Sequence, residues 1–270
     1  MRSNVIVFPF DLFGNGGTGA GAQLLADAVR EILDDTQEET RPCRADCLRD
    51  RVRVQELAFE TPQQVATWRK TGRQVARRLM KSGEFLIWLG GNHLSVLPVL
   101  EELGRDTLVV QFDAHLDIYA FHDTTKELSH GNYLRHLEIP RPRLVNIGHR
   151  DLFITTSEIA TIFEANYSAI DVATRAEEVI TAVRTLASGA SRVWIDLDCD
   201  VFDPAAMPAV QQPLPFGLAP PVFLQLLSAA WSGNVLGLSV SEFSPGHDVR
   251  DTGLNLLGWL LEFVLLQVHT

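Results

Sequence analysis

Leu108-Val-Val-Gln-Phe112 runs straight into Asp113-Ala-His115-Leu-Asp117, and this junction decides the fold. A short apolar run of this kind reads as a buried strand, whose side chains alternate between its two faces. Asp113, His115 and Asp117 then point the same way where the strand ends, which gathers two carboxylates and an imidazole in one small volume. The pattern recurs, because Val193-Trp-Ile195 leads into Asp196-Leu-Asp198-Cys-Asp200, with Asp203-Pro204 just beyond. Two acidic strand ends lying close together repel strongly unless cations sit between them.

Outward from this pair, the apolar runs at 5–8, 85–89, 144–147 and 235–240 read as further strands, and 52–59 as a short one. Helical patterns are predicted over 22–33, onward from Thr61-Pro62, over 95–103, from Gly131 to 137, over 173–186 and 221–231, and from Thr252 to the end. Thr61-Pro62-Gln-Gln64 combines a capping hydroxyl, an early proline and a Gln three residues on. Strands and helices alternate without a low-complexity linker. This pattern predicts a single three-layer α/β domain over 1–270, with a mainly parallel sheet flanked by helices on both faces. His93, Asp113, His115, Asp117, Asp198, Asp200 and Glu242 all fall at the C-terminal ends of predicted strands, the edge where open α/β sheets bind ligands.

Composition narrows the function classes. A formal charge of −11 over 270 residues, with 46% hydrophobic and 21% charged residues, fits a globular protein and speaks against nucleic-acid binding. The chain enters its first strand without a long apolar leader, and its most apolar stretch, 254–268, is interrupted by Asn255, Glu262 and Gln267. We expect a cytoplasmic protein with no membrane partner and a buried C-terminal helix. Three cysteines, Cys43, Cys47 and Cys199, are too few for a disulfide scaffold and read as reduced thiols. Glycines within 13–21 follow a strand and precede a helix, but no Gly-Lys-Ser/Thr completes a phosphate loop, so a tight turn is expected. The basic stripe Arg69, Lys70, Arg73, Arg77, Arg78 and Lys81 reads as a solvated helix face.

The strand-end set His93, Asp113, His115, Asp117, Asp198 and Asp200 offers four carboxylates and two imidazoles. Four negative charges balance two divalent cations, and an oxygen-rich set without thiolate favours Mn(II) over structural zinc. Two such ions would hold a water between them and lower its pKa towards neutrality, giving a hydroxide nucleophile.

Gly90-Gly-Asn-His93, Asp113-Ala-His-Leu-Asp117, His130-Gly131, Asp198-Cys-Asp-Val-Phe-Asp203-Pro204 and Ser241-Glu242 resemble, in this order, the signature of the ureohydrolases: arginase, agmatinase and relatives. The resemblance extends from Pro9 through Ile147-Gly-His-Arg150 to Glu242. It implies an arginase-like fold, two Mn2+ per chain held by His93, Asp113, His115, Asp117, Asp198 and Asp200, and cleavage of a guanidino group to urea and an amine. Asp117, His130 and Glu242 are the residues it assigns to the reaction, His130 moving protons and Glu242 holding the guanidinium. Family members are often trimers or hexamers, so a homo-oligomer is expected on that ground alone. The chemistry is coherent, because a delocalised guanidinium carbon is a poor electrophile and needs both a preformed hydroxide and a carboxylate that fixes the planar group.

The chain departs from the family pattern at Asn92, where Asp is usual, at Leu94, at Asp196, where Ser or Thr is usual, and over Pro208-Ala-Val-Gln-Gln-Pro213. Tyr119 and Lys126 stand where arginases carry Asn and Ser to bind the substrate carboxylate. The expected substrate is therefore a guanidino small molecule other than free arginine, or an arginine-containing peptide converted to its ornithine form. Two other classes stay open: a single-zinc deacetylase of the same architecture, against which the lack of a tandem His-His pair speaks, and a non-catalytic metal-binding protein.

Overall fold

The computed structural model describes residues 2–37, 42–119, 127–138, 140–231 and 233–269. The strands are β1 (Ser3–Phe8), β2 (Val52–Glu56), β3 (Phe85–Gly90), β4 (Thr107–Phe112), β5 (Arg143–Ile147), β6 (Ala165–Tyr167), β7 (Arg192–Asp198) and β8 (Val235–Ser241). They form one sheet in the order β2-β1-β3-β8-β7-β4-β5-β6, and every neighbouring pair is parallel. The helices are α1 (Thr18–Asp34), α2 (Arg44–Leu48), α3 (Pro62–Ala66), α4 (Trp68–Ser82), α5 (Leu97–Leu100), α6 (Thr156–Ile159), α7 (Ala169–Ser188), α8 (Pro220–Ala230) and α9 (Thr252–His269).

Alternation along the central strands divides the interior into two cores, one on each face of the sheet. Val5, Val7, Ile87, Leu89, Ile195 and Leu197 pack with the buried residues of α1, α7, α8 and α9. Ile6, Phe8, Leu86, Trp88, Val109 and Trp194 pack with those of α4 and α5. The three layers expected from the sequence follow directly from that alternation.

Several local expectations change. The Thr61 capping box forms, with Gln64 N–H donating to Thr61 Oγ1 at 3.3 Å, but the helix it opens breaks at Thr67 into α3 and α4. The helix expected after Gly131 is only a 3-10 turn, Tyr133–His136. β6 is a three-residue strand of half-buried residues, too short to leave a periodic trace in the sequence. The basic stripe of α4 is partly neutralised by the protein itself: Arg69 pairs with Glu101, and Arg73 and Arg77 pair with Glu102 at 2.8 and 2.7 Å. By length and composition α9 could cross a membrane, but it buries Leu257, Leu260, Leu261, Val264 and Leu265 in the core, and Glu262 pairs with Arg44.

The glycine-rich segment serves close packing. Gly17 takes a left-handed backbone (φ +87°) at the start of α1, and a Cβ on Gly21 would stand 2.0 Å from the Phe243 carbonyl oxygen. α1 thus presses directly on the residue after Glu242. Replacing Gly21 with Ala should destabilise the fold by about 2–3 kcal/mol through overpacking, read as a lower urea midpoint. An unchanged midpoint would show that the helix can withdraw without cost.

Candidate metal centre and substrate pocket

The sheet order puts β3, β8, β7 and β4 side by side, so their C-terminal ends deliver His93, Glu242, Asp198, Asp200 and Asp113 to one place. The His93 ring is the hub. Its Nδ1 lies 2.9 Å from Asp117 Oδ2 and 3.1 Å from the Oδ2 atoms of both Asp113 and Asp198. His115 Nδ1 lies 2.8 Å from Asp200 Oδ2 and 3.9 Å from Asp113 Oδ1. Each sequence-predicted site residue is therefore in the cluster or on its wall, and all but His115 and His130 are at most 5% exposed.

Main-chain donors hold the carboxylates in place. His115 N–H donates to Asp113 Oδ1 at 2.7 Å, Asp200 N–H to Asp198 Oδ1 at 2.9 Å, and Ala114 N–H to Asp200 Oδ1 at 3.1 Å. One oxygen of each acid is anchored, and its Oδ2 is left to face an imidazole. Arg150 donates to the carbonyls of Asp200 and Val201, which stiffens the same turn. The backbone at Asp117 and Glu242 is left-handed, with φ +50° and +64°, a conformation that non-glycine residues adopt at a cost and that clusters at functional sites.

Mutual electrostatics reveal what the cluster lacks in positive charge. Burial and the Asp117 carboxylate push Asp113 up to about 8, and burial with Asp200 and Asp113 beside it lifts Asp198 well above the carboxylate range. Burial opposes charge on His115, yet the hydrogen bond to Asp200 and the neighbouring acids outweigh it and raise that imidazole to about 10. His93 is raised in the same way against its own burial. Asp200 goes the other way: burial opposes its charge, but the His115 hydrogen bond holds it below the usual carboxylate value. Two acids that resist ionising beside imidazoles that hold their protons mark a centre that favours cations. Nδ1 of His93 and Oδ2 of Asp113 are buried without a hydrogen bond among the described residues. His93, Asp113 and Asp198 form one group, and Asp113, His115 and Asp200 another, whose ligand atoms lie within 4.8 Å of one another. This hard, oxygen-rich donor set fits divalent ions such as manganese.

A cavity of about 300 Å³ opens over the cluster, lined by Asn15, Tyr119, His130, Gly131, Gln212 and Glu242 as well as the acids. Glu242 Oε1 accepts from the His93 main-chain N–H at 2.9 Å and lies 3.4 Å from His130 Nδ1, while Oε2 accepts from Asn15 Nδ2 at 2.9 Å. Burial opposes charge on His130, but Glu242 raises its pKa above the usual imidazole value. Tyr119 donates to both oxygens of Asp151, at 2.8 and 3.0 Å. Lys126 lies outside the described residues. A larger, shallower groove between α1 and α9 gathers no comparable ligand group among the described residues.

Sequence reasoning passed over the polar layer beneath these ligands. Asn146, Gln111, Asp196 and Ser239 lie in register on β5, β4, β7 and β8, all at most 1% exposed. Gln111 inside an otherwise apolar strand was the signal. Asn92, one of the family departures, is also fully buried and donates to the Leu12 carbonyl at 3.1 Å. Asn15 and Gln212 were missed because nothing in the sequence places those loops over Glu242.

Comparison with known proteins follows the same geometry. The arginase family model matches residues 2–264. An agmatinase from Edwardsiella ictaluri is 27% identical over 275 residues, covering 96% of this chain and 86% of its own. An agmatinase from Cronobacter sakazakii is 30% identical over 204 residues, 71% of this chain and 63% of its own. Among solved structures, arginase from Bacillus subtilis superposes with a TM-score of 0.80 at 19% identity, covering 98% of both chains. A hypothetical agmatinase from Burkholderia thailandensis also gives 0.80, at 20% identity, over 100% of this chain and 86% of that one. With the family model matching nearly end to end, and the acidic strand ends gathered as its signature requires, this chain belongs to the arginase family.

Proposed function

We propose that the protein is a binuclear manganese ureohydrolase that cleaves a guanidino compound to urea and an amine. The observation that carries this reading is the coincidence, in one cavity, of the anchored acids around His93 and His115 with a buried Glu242 opposite them. His93, Asp113, His115, Asp117, Asp198 and Asp200 would hold the ions. When bound, the ions supply a water acidic enough to attack the guanidinium carbon near neutral pH.

The protein's own groups account for the rest. Glu242, oriented by His93 N–H and Asn15, offers a fixed carboxylate to the planar guanidinium. Attack forms the C–O bond, the C–N bond to the carbon chain breaks, and the departing nitrogen must gain a proton to leave as an amine. His130 stands on the cavity wall with its imidazole biased towards the protonated state by Glu242, so it can hold that proton and release it. Three free cysteines support a cytoplasmic setting.

The distal end of the substrate is the finer part of the proposal. Among the described residues no Lys or Arg lines the cavity, Arg150 is committed to main-chain carbonyls, and Asp151 is committed to Tyr119. Among the described residues a free amino acid would find no cation for its carboxylate, and leaving that charge unpaired costs several kcal/mol. The agmatinase relatives support a small guanidine that lacks the carboxylate. A second reading, arginine within a peptide giving ornithine, is favoured by the exposed Leu152 and Phe153 on the loop that leaves β5.

Three outcomes are expected. Protein incubated with manganese should hold about two ions per chain, and Asp198→Ala should lose metal by elemental analysis; one tightly bound zinc indifferent to that change would contradict the binuclear centre. His130→Ala should keep its metal yet lower kcat by roughly 100-fold or more, while Glu242→Gln should lower kcat/KM by roughly 100-fold; full urea release by either variant would remove its assigned role. Steady-state kinetics over free guanidines and arginyl peptides should rank L-arginine below the best of them. A kcat/KM for arginine at the top of the panel would overturn the distal-end proposal.

A further inference from the structure

Asp196 is not placed to reach an ion, and the geometry gives it a different task. It sits in the middle of β7, fully buried, with Oδ2 3.0 Å from Nε2 of His93, on the side of the ring opposite the acid cluster. Its other oxygen accepts from Ser239 Oγ at 2.6 Å, and Ser239 Oγ in turn accepts from the Trp194 indole N–H at 2.9 Å. Among the described residues His93 is its one charged partner within 4 Å. The carboxylate is thus locked to the sheet on one side and to an imidazole on the other.

That contact decides the tautomer of His93. A bare Nε2 would set a lone pair against the carboxylate, so Nε2 carries the hydrogen and donates it to Asp196. With an ion in place of its other proton, the ring would then present its Nδ1 lone pair to the space between Asp113, Asp117 and Asp198. A carboxylate behind the ring also makes Nδ1 a stronger donor and fixes the ring plane. His115 differs, since both of its ion-pair contacts, Asp113 and Asp200, are on Nδ1, and no carboxylate stands behind the ring among the described residues. The two halves of the centre are therefore built unequally.

We propose that Asp196 is a positioning residue that locks His93 as a Nδ1 donor and makes the ion on the His93 side the tighter bound of the two. It acts through His93 and touches neither substrate nor ion. The proposal rests on the metal-centre reading, but its test does not use urea release.

Manganese titrations of metal-free protein should resolve a tight and a weaker ion in the wild type. In Asp196→Asn, and in Asp196→Thr, which keeps an acceptor without the charge, the tight ion should weaken by roughly 10–100-fold while the weaker ion changes little. The metal-free melting temperature should stay within about 3 °C of wild type, because Asn and Thr each keep a polar oxygen that can accept from Ser239 or His93. Wild-type protein that takes up two ions, with both variants unchanged, overturns this proposal alone. Equal weakening of both ions together with a large fall in the metal-free melting temperature marks Asp196 as an ordinary structural acid and also overturns it, as does failure of both variants to fold. Wild-type protein that takes up no manganese overturns this proposal and the metal-centre reading together.

Discussion

Everything at the carboxyl edge of this sheet follows from one constraint: several buried carboxylates share one small volume and must be held there against their mutual repulsion. Coulomb energy between like charges a few ångströms apart is large wherever solvent is excluded. The chain meets the constraint by anchoring. Asp113, Asp198 and Asp200 each give one oxygen to a main-chain N–H, so local turn geometry, rather than attraction between the acids, sets their positions. Their free oxygens converge on the two imidazoles. The backbone thus organises the site, and fixed main-chain donors of this kind are how a constellation of polar groups avoids the cost of reorganising.

The same logic extends one layer down. Asn146, Gln111, Asp196 and Ser239 form a polar row across four adjacent strands, on the face that α4 and α5 cover. Gln111 Nε2 donates to the Tyr133 hydroxyl at 3.1 Å, and that hydroxyl lies 3.2 Å from His93 Nε2. Buried polar groups are costly unless paired, and the row pairs most of its polar atoms with one another and with the centre above, Asn146 Oδ1 being left without a partner among the described residues. The left-handed backbone at Asp117 and Glu242 is the strained counterpart of this rigidity. Both residues must turn sharply out of their strand ends to face the cavity.

Function divides along the height of the cavity. Its floor is the acid and imidazole cluster, its wall is Glu242 and His130, and its mouth is Asn15, Tyr119 and Gln212. On the proposed function the floor would carry the chemistry and the mouth substrate choice. Among the described residues the mouth carries neutral amide and phenol groups.

The sequence by itself determined the parallel α/β architecture, which depends on local periodicity, and it named the residues that the fold gathers around His93 and His115. Apolar runs alternating with helical patterns allowed little else, but strand alternation does not bring Asp113, His115 and Asp117 together: β4 ends at Phe112, and the three meet through the irregular turn beyond it, where Asp117 takes a left-handed backbone. The order of the acidic motifs carried the family. What the sequence could not determine was how separate strand ends face one another. That Asp196 points at the back of His93 depends on β7 lying beside β8 and one strand away from β3, a neighbourhood set by long-range strand pairing. The 3-10 turn after Gly131, the break at Thr67 and the three-residue β6 were likewise decided by packing against the rest of the fold, where tertiary contacts override weak local preferences. Asn15 reaches Glu242 across a sequence separation of 227; only the folded chain brings the first loop over the last strand.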